Sequence, residues 1–320
     1  MEITLLRPTV KETLWGGRLL IDEFGIKTDG DNAAEAWLLS CHRDGPSYAV
    51  GGEYDGETLE KIIEKEGKQV LGTHNAGTDG FPVLIKIIDA CDKLSIQVHP
   101  GDEYARRVEN ENGKTEAWFV LHAREGAQLI YGVNKDMTRE EFAESIENGT
   151  LLENVNRVNV KKGDVVFIPS GMLHAIGEGI LLAEVQQSSN TTYRVFDYDR
   201  RDKNGSKREL HVKKATDVVT LTKTTADFSP EGDEIKLCGA SKRILTHCKY
   251  FSMTEINVEG EFTDSAESES FVSLIILDGT GEISANGKKY EIKKGSSVFI
   301  PASYGEYTLC GSFTALETRT

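Results

Sequence analysis

Long apolar runs are missing from this chain. The longest, Val83–Ile88 and Ser273–Leu277, are the size of a single strand, well short of the ~20 residues a helix needs to cross a bilayer. Met1–Val10 is mixed in polarity and lacks the apolar core of a secretory leader. Cysteine is scarce and odd in number, with Cys41, Cys91, Cys238, Cys248 and Cys310 showing no metal-site spacing. This argues against a disulfide framework and a thiolate metal site, and it predicts free, buried or partly buried thiols in a reducing cytoplasm. Positive charge is also in deficit: 37 Lys and Arg stand against 52 Asp and Glu, a formal net charge of -15. Non-specific nucleic-acid binding is therefore not expected. Any anionic ligand has to be held by cations gathered locally.

Proline is sparse as well, 7 residues against 31 glycines. Many tight turns and few rigid breaks suit an all-β chain better than a helical one. Strand-sized segments divided by Gly, Asn and Asp recur at Ala36–Ser40, Val83–Ile88, Leu94–His99, Ala117–Leu121, Val165–Ile168, Leu181–Gln187 and Thr192–Phe196. That spacing predicts a sandwich or barrel. Two stretches have helical periodicity. Thr58–Leu71 carries Leu59, Ile62, Ile63 and Val70, with Gly72 as a stop. Thr138–Asn148 opens on a capping box, Thr138 with Glu141, and ends before Gly149.

A short internal repeat organises the rest. KKGDVVFIPS at 161–170 returns as KKGSSVFIPA at 293–302. This predicts one supersecondary unit used twice. Only the first copy is followed by a histidine, His174. One unit is then expected to do chemistry while the other stabilises or covers it. The polar segment Thr225–Glu234, with Ser229, Pro230 and Gly232, lies where a boundary is expected, and the acidic stretch 258–270 reads as a loop.

Three segments carry chemistry. In LSIQVHPGD (94–102), strand alternation puts Ser95, Gln97 and His99 on one face and Leu94, Ile96 and Val98 on the other. In GKTEAWFVL (113–121), Glu116 enters an otherwise apolar strand, which is costly unless the carboxylate is paired or coordinated. In GDVVFIPSGMLHAI (163–176), His174 follows a Pro-Ser-Gly turn. Taken singly, each has a plain reading: a loop histidine, or a Gln-x-His pair facing water. Together they offer two imidazoles, one carboxylate and one amide oxygen. Two His and one carboxylate serve both catalytic zinc sites and non-haem iron oxygenases, and the residues themselves do not choose between them. His42, His74, His122, His211 and His247 have no such context and read as structural or surface residues.

The pattern G-D-x-x-x-x-P-x-G-x-x-H at 163–174 resembles the second motif of the cupin barrels. SIQVHPGDEYA, GKTEAWFVL and NTTYRVFD resemble the type I mannose-6-phosphate isomerases. So do LWGG at 14–17, EAWLLSCHRDGPS at 35–47 and PVLIKIIDACDKLSIQVHP at 82–100, in the family's order and over essentially the whole chain. The resemblance implies a mainly β protein of two cupin-type jelly-roll barrels. Residues 1–238 would form the catalytic unit, with a small helical insertion at about 137–154, and residues 239–320 a second unit without metal ligands. It implies one Zn2+ per chain on Gln97, His99, Glu116 and His174, and catalytic roles for Arg194, Lys114 and Glu184. Lys86 and Ser95 match positions near the substrate phosphate, and Lys86, Lys114 and Arg194 would supply the local positive charge. The implied reaction interconverts mannose 6-phosphate and fructose 6-phosphate through an enediol, in a monomer or weak homo-oligomer.

The chain departs from longer relatives of this kind. It has no substantial helical domain, and Gly113-Lys114-Thr115-Glu116 stands where they carry His-Lys-Pro-Glu. A role assigned to that histidine has no residue here. The competing readings are an isomerase of another sugar phosphate, a metal dioxygenase on the same barrel, or a non-catalytic sugar-binding module. Fold alone does not separate them. Bound iron with oxygen consumption would mark the dioxygenase, and binding without turnover the module.

Overall fold

All seven expected strand segments form strands in the computed structural model, which describes residues 1–201 and 205–320. The described residues are mainly β and form three sheets. A six-stranded sheet runs in the order Val165–Ile168, Glu116–Ala123, Ile180–Gln187, Val83–Ala90, Glu35–Leu39, Thr9–Lys11. A five-stranded sheet runs Tyr193–Phe196, Ile96–Val98, His174–Ala175, Gln128–Val133, Val155–Asn159. A nine-stranded sheet holds the strands of the C-terminal half and adds Thr4–Arg7 and Tyr48–Val50 from the N-terminal end. Thr4–Arg7 pairs with Ser297–Ile300, so this sheet crosses the expected divide between residues 238 and 239.

Burial explains the composition of the central strands. Every residue of Val83–Ala90 and Ile180–Gln187 is buried. One face, with Ile88, Trp118, Val120 and Leu182, shares a core with Leu129 of the five-stranded sheet. The other face, with Ile85, Ile87, Ala183 and Val185, packs on Phe251, Phe271 and Phe299 of the C-terminal half. A strand covered on both faces reads as a continuous apolar run rather than an alternation. The polar residues on such strands, Lys86, Asp89, Glu184, Gln186 and Gln187, therefore stand out against that background.

The repeat corresponds to one local structure. Both copies place a strand, Val165–Ile168 or Ser297–Ile300, after a turn whose glycine is left-handed, Gly163 at φ 91° and Gly295 at φ 86°. Beyond the proline the two copies diverge. The first leads to the two-residue strand His174–Ala175, and the second to the long strand Gly305–Arg319.

Helices differ from expectation in informative ways. The segment 58–71 is not one helix. Leu59–Glu66 is α-helical, Gly67 breaks it at φ 92°, and Lys68–Leu71 continues as a 3₁₀ turn. The capping box forms as expected: Glu141 N–H donates to Thr138 Oγ1 at 3.1 Å and Thr138 N–H to Glu141 Oε2 at 2.7 Å, opening the helix Arg139–Glu147. That helix and Val212–Val218 cover the outer face of the five-stranded sheet through Phe142, Ile146 and Ala215. The helix Asp102–Glu109 was not expected, because Ala105 is its one buried residue and no apolar stripe announces it.

Two sequence expectations are corrected. The stretch 258–270 is not a loop: the strand Ser252–Ala266 runs through most of it, paired residue for residue with Gly305–Arg319. The exposed middle, Glu259–Glu261, is held by the backbone ladder rather than by side-chain burial, so its polar sequence hid the strand. The five cysteines are free, but Cys91, Cys238 and Cys310 are exposed rather than buried.

The two halves meet through an aromatic stack. Phe271 lies 5.2 Å from both Phe81 and Phe299, ring centre to ring centre, and is fully buried. Replacing Phe271 with Ala leaves a ring-sized void there, and the expected loss is about 3–5 kcal/mol in urea unfolding. A loss below about 1 kcal/mol would show that the junction does not depend on this ring.

Candidate metal and active site

Antiparallel residues directly opposite one another project from the same face of a sheet. That rule assembles the site. On the six-stranded sheet Trp37, Lys86, Glu184 and Trp118 form one transverse row. Glu116 stands one row along, opposite Gln186. On the five-stranded sheet Arg194, Gln97, His174 and Tyr131 form a second row. His99 follows the Ile96–Val98 strand, so the expected alternation of Ser95, Gln97 and His99 places all three toward the same side.

Ligand atoms of His99, Glu116 and His174 lie within 4.8 Å of one another, and all three side chains are buried. Each imidazole is oriented by a backbone carbonyl: His99 Nδ1 lies 2.9 Å from Thr191 O and His174 Nδ1 2.9 Å from Met172 O. With Nδ1 donating, each Nε2 carries a lone pair. Those lone pairs face Glu116, at 3.5 Å for His99 and 3.3 Å for His174. Glu116 Oε1 and His174 Nε2 are buried without a hydrogen-bond partner among the described residues. The acceptors already draw one cation, since Lys114 Nζ lies 3.0 Å from His99 Nε2 and against Glu116 Oε2.

Two buried carboxylates, Glu116 and Glu184, and two buried ammonium groups, Lys86 and Lys114, sit around this cluster, with the partly exposed Glu35 at its edge. Lys86 Nζ lies 3.0 Å from Glu184 and 3.4 Å from Glu35, and 4.9 Å above the Trp37 ring. Burial would lower the Lys86 pKa, but Glu184 and Glu35 hold it above the usual lysine value. Burial would raise the Glu184 pKa, but Lys86 and Lys114 hold it down, and Trp118 Nε1–H donates to its carboxylate at 2.9 Å. Lys114 and Lys86 also act to lower the Glu116 pKa, but they are outweighed. Burial and the Glu184 charge push its pKa up to about 7. Burial drives His99 well below the ordinary histidine value and His174 down to about 4, so both imidazoles stay neutral and able to ligate. A divalent cation fits this set: its donors are two neutral imidazoles and a carboxylate with an unsatisfied oxygen.

Arg194 lies at the edge of the site. Its Nε–H donates to Ser95 Oγ at 3.2 Å and its NH1 to Glu209 O at 3.1 Å. Of Ser95 and Lys86, paired in the sequence reading, Lys86 sits on the six-stranded sheet and Ser95 just ahead of the Ile96–Val98 strand of the five-stranded one. Ser95 serves Arg194, and Lys86 serves Glu184. Burial first, and then the nearby Arg208, lower the Arg194 pKa. Several neighbours had no sequence signal. His211 clamps the Arg194 backbone, accepting from its N–H at 3.3 Å and donating its own N–H to its carbonyl at 2.8 Å. Asp197 gathers Arg200 and Arg208, each at 2.6 Å, beside Arg194. Only the run of basic residues at 200–208 hints at this cluster in the sequence.

Among the described residues, no helix is long and apolar enough to cross a membrane. The family model for the phosphomannose isomerase type I catalytic domain matches residues 3–114, and that for the mannose-6-phosphate isomerase cupin domain matches residues 241–318. The chain is 38% identical over 311 residues to the mannose-6-phosphate isomerase ManA of Bacillus subtilis, covering 97% of this chain and 96% of the relative. It is 34% identical over 318 residues to the mannose-6-phosphate isomerase of Streptococcus mutans, covering 99% and 98%. The crystal structure of a Bacillus subtilis mannose 6-phosphate isomerase superposes with a TM-score of 0.91 at 35% identity, covering 99% of both chains. Near-complete coverage by these relatives, together with a buried His-Glu-His cluster at the junction of two sheets, leads to one assignment: the chain belongs to the type I mannose-6-phosphate isomerase family.

Proposed function

We propose that this chain interconverts mannose 6-phosphate and fructose 6-phosphate, with one divalent cation, assigned as Zn2+, on Gln97, His99, Glu116 and His174. The observation that carries the reading is the buried pair Glu116 Oε1 and His174 Nε2, without a hydrogen-bond partner among the described residues, with His174 one strand away from Gln97 and two from Arg194. Gln97 joins the set because it stands opposite both His174 and Arg194, on their face of the sheet. The relatives named above carry this activity in their names, and the site suits it.

The reaction moves a proton from carbon 2 of the aldose to carbon 1 through an enediol, and its difficulty is the negative charge that develops on the carbonyl oxygen. A bound cation of this kind supplies Lewis-acid polarisation of an oxygen. Arg194 adds a fixed guanidinium, already oriented by Ser95 and Glu209, at the edge of the same cluster. Two groups are placed to carry the proton. Lys114 touches His99 and Glu116 directly, and Glu184 is kept anionic by Lys86 and Lys114. Lys86, Lys114 and Arg194 give this acidic chain its local positive charge for a phosphate, and Lys86 and Ser95 are assigned to that end of the substrate. We assign residues 1–238 as the catalytic unit and 239–320 as the supporting one. A cytoplasmic location fits five free thiols, and a monomer or weak homo-oligomer is the state we assign.

Arg194→Ala is expected to fold normally and to lose turnover by about a hundred- to a thousand-fold, the usual cost of one oxyanion-stabilising donor. Near-full turnover in a steady-state assay would remove Arg194 from the mechanism. Elemental analysis is expected to find one divalent cation per chain in the parent protein and far less in His174→Ala, with activity lost to chelator and restored by Zn2+. A metal-free protein indifferent to chelator would overturn the assignment. Incubation with mannose 6-phosphate in deuterated water should exchange the carbon-2 proton by NMR. Whichever of Lys114→Met and Glu184→Gln abolishes that exchange marks the proton carrier, and no exchange in the parent protein would reject the reaction.

A further inference from the structure

Glu116 opens the strand Glu116–Ala123, and the residues just before it, 112–115, lie outside any strand. A metal ligand at the first position of a strand is no better placed than the segment leading into it. Here three successive backbone amides of that segment are tied down. Gly113 N–H donates to Asp102 Oδ1 at 3.0 Å, Lys114 N–H to Pro100 O at 3.0 Å, and Thr115 N–H to Gln187 Oε1 at 3.0 Å. The middle bond is backbone to backbone. The outer two depend on the side chains of Asp102 and Gln187, which also bind each other, Gln187 Nε2–H donating to Asp102 Oδ1 at 2.9 Å.

The second carboxylate oxygen of Asp102 accepts a hydrogen bond from Tyr250 OH at 2.7 Å. Tyr250 belongs to the C-terminal half, in the turn between the strands Ala240–His247 and Ser252–Ala266. That turn is closed by Cys248 N–H donating to Phe251 O at 2.9 Å, and Phe251 is buried in the core between the halves. The tyrosine hydroxyl is therefore presented from a fixed base. Burial would raise the Asp102 pKa, but the bonds from Tyr250, Gln187 and Gly113 hold it below the usual carboxylate value. These are charge-assisted bonds to an ionised acceptor, stronger than neutral ones. Gly113 is pressed against the same residue: a Cβ there would lie 2.5 Å from Asp102 N and 2.7 Å from Gly101 C, both backbone atoms. This close approach gives a physical reason for glycine at the position where longer relatives carry histidine.

We propose that Tyr250 and Asp102 are positioning residues for the metal site: Tyr250, reaching across from the C-terminal half, orients the Asp102 carboxylate, and Asp102 with Gln187 holds Gly113–Thr115 so that Lys114 and Glu116 meet His99 and His174. This rests on the reading of Glu116 as a metal ligand, and it gives the C-terminal half a part in the chemistry beyond stabilising the fold. Asp102 lies three residues after His99 and binds the amide three residues before Glu116, so a single carboxylate sets the spacing of two ligand-bearing segments.

The test uses the full chain with Tyr250→Phe, Asp102→Ala and Asp102→Asn. Chelator-stripped proteins are titrated with Zn2+ against a chromophoric chelator, and kcat and KM for mannose 6-phosphate are measured after reloading. Loss of an outer hydrogen-bonding partner typically weakens metal affinity or activity by about 10–100-fold. Asp102→Ala is expected within that range for Zn2+ affinity and kcat, with KM changed less than about twofold on the same grounds. Asp102→Asn keeps an acceptor for Gly113 and Gln187 and should recover most of the loss. Tyr250→Phe removes one oxygen, keeps the ring, and should lower Zn2+ affinity and kcat in the same direction by a smaller factor. It also keeps the test intact if Asp102→Ala fails to fold. Wild-type Zn2+ affinity and kcat in Tyr250→Phe would overturn the proposal, as would a lowered melting temperature without any change in either. A parent protein that binds no Zn2+ and turns over no substrate would instead sink the function reading from which this one starts.

Discussion

A carboxylate with no exposed surface governs this molecule. Glu116 enters an apolar strand between Trp118 and the Gly113–Thr115 segment, and burial and Glu184 together push its charge toward neutralisation. Isolated burial of an ionised carboxylate is prohibitively costly. The surroundings answer that cost with Lys114 and with two imidazoles kept neutral and turned so that their free nitrogens face it. Most of what is distinctive nearby follows from keeping this group charged and in place. The two Nδ1 contacts to backbone carbonyls fix which imidazole nitrogen faces inward. Lys86 pairs directly with the second buried carboxylate, Glu184, and Lys114 directly with Glu116.

Sheet register does the positioning. The row Trp37, Lys86, Glu184, Trp118 and the row Arg194, Gln97, His174, Tyr131 exist because antiparallel partners share a face. A slip of one residue in either sheet would turn every one of these side chains away from the site. The apolar core resists such a slip. The same strands that carry Lys86 and Glu184 bury Ile85, Ile87, Ala183 and Val185 on the opposite face against Phe251, Phe271 and Phe299. The C-terminal half thus packs against these strands on the face opposite the site, while Tyr250 donates a hydrogen bond to Asp102, which in turn accepts one from Gly113 N–H ahead of Glu116.

Much of the site was legible because strands have a period of two. Alternation alone separated Ser95, Gln97 and His99 from Leu94, Ile96 and Val98, and a lone glutamate in an apolar strand marked Glu116. The capping box predicted its helix for the same local reason: Thr138 and Glu141 are three residues apart and need nothing else. The errors also had local causes. Gly67 broke a periodic helix, and the polar middle of Ser252–Ala266 read as a loop because its partner strand lies some fifty residues further along the chain.

The sequence by itself determined the fold class, through alternation, capping and turn glycines that act over a few neighbouring residues, and the family, through motifs that resemble it in order along the chain. Tertiary structure alone decided which residues meet. The Lys86–Glu184 pair, the pairing of Ser95 with Arg194, the His211 clamp and the chain from Tyr250 through Asp102 to Gly113 join segments far apart in sequence. Such contacts depend on sheet order and on the packing of two halves against each other, and no local pattern encodes either of these.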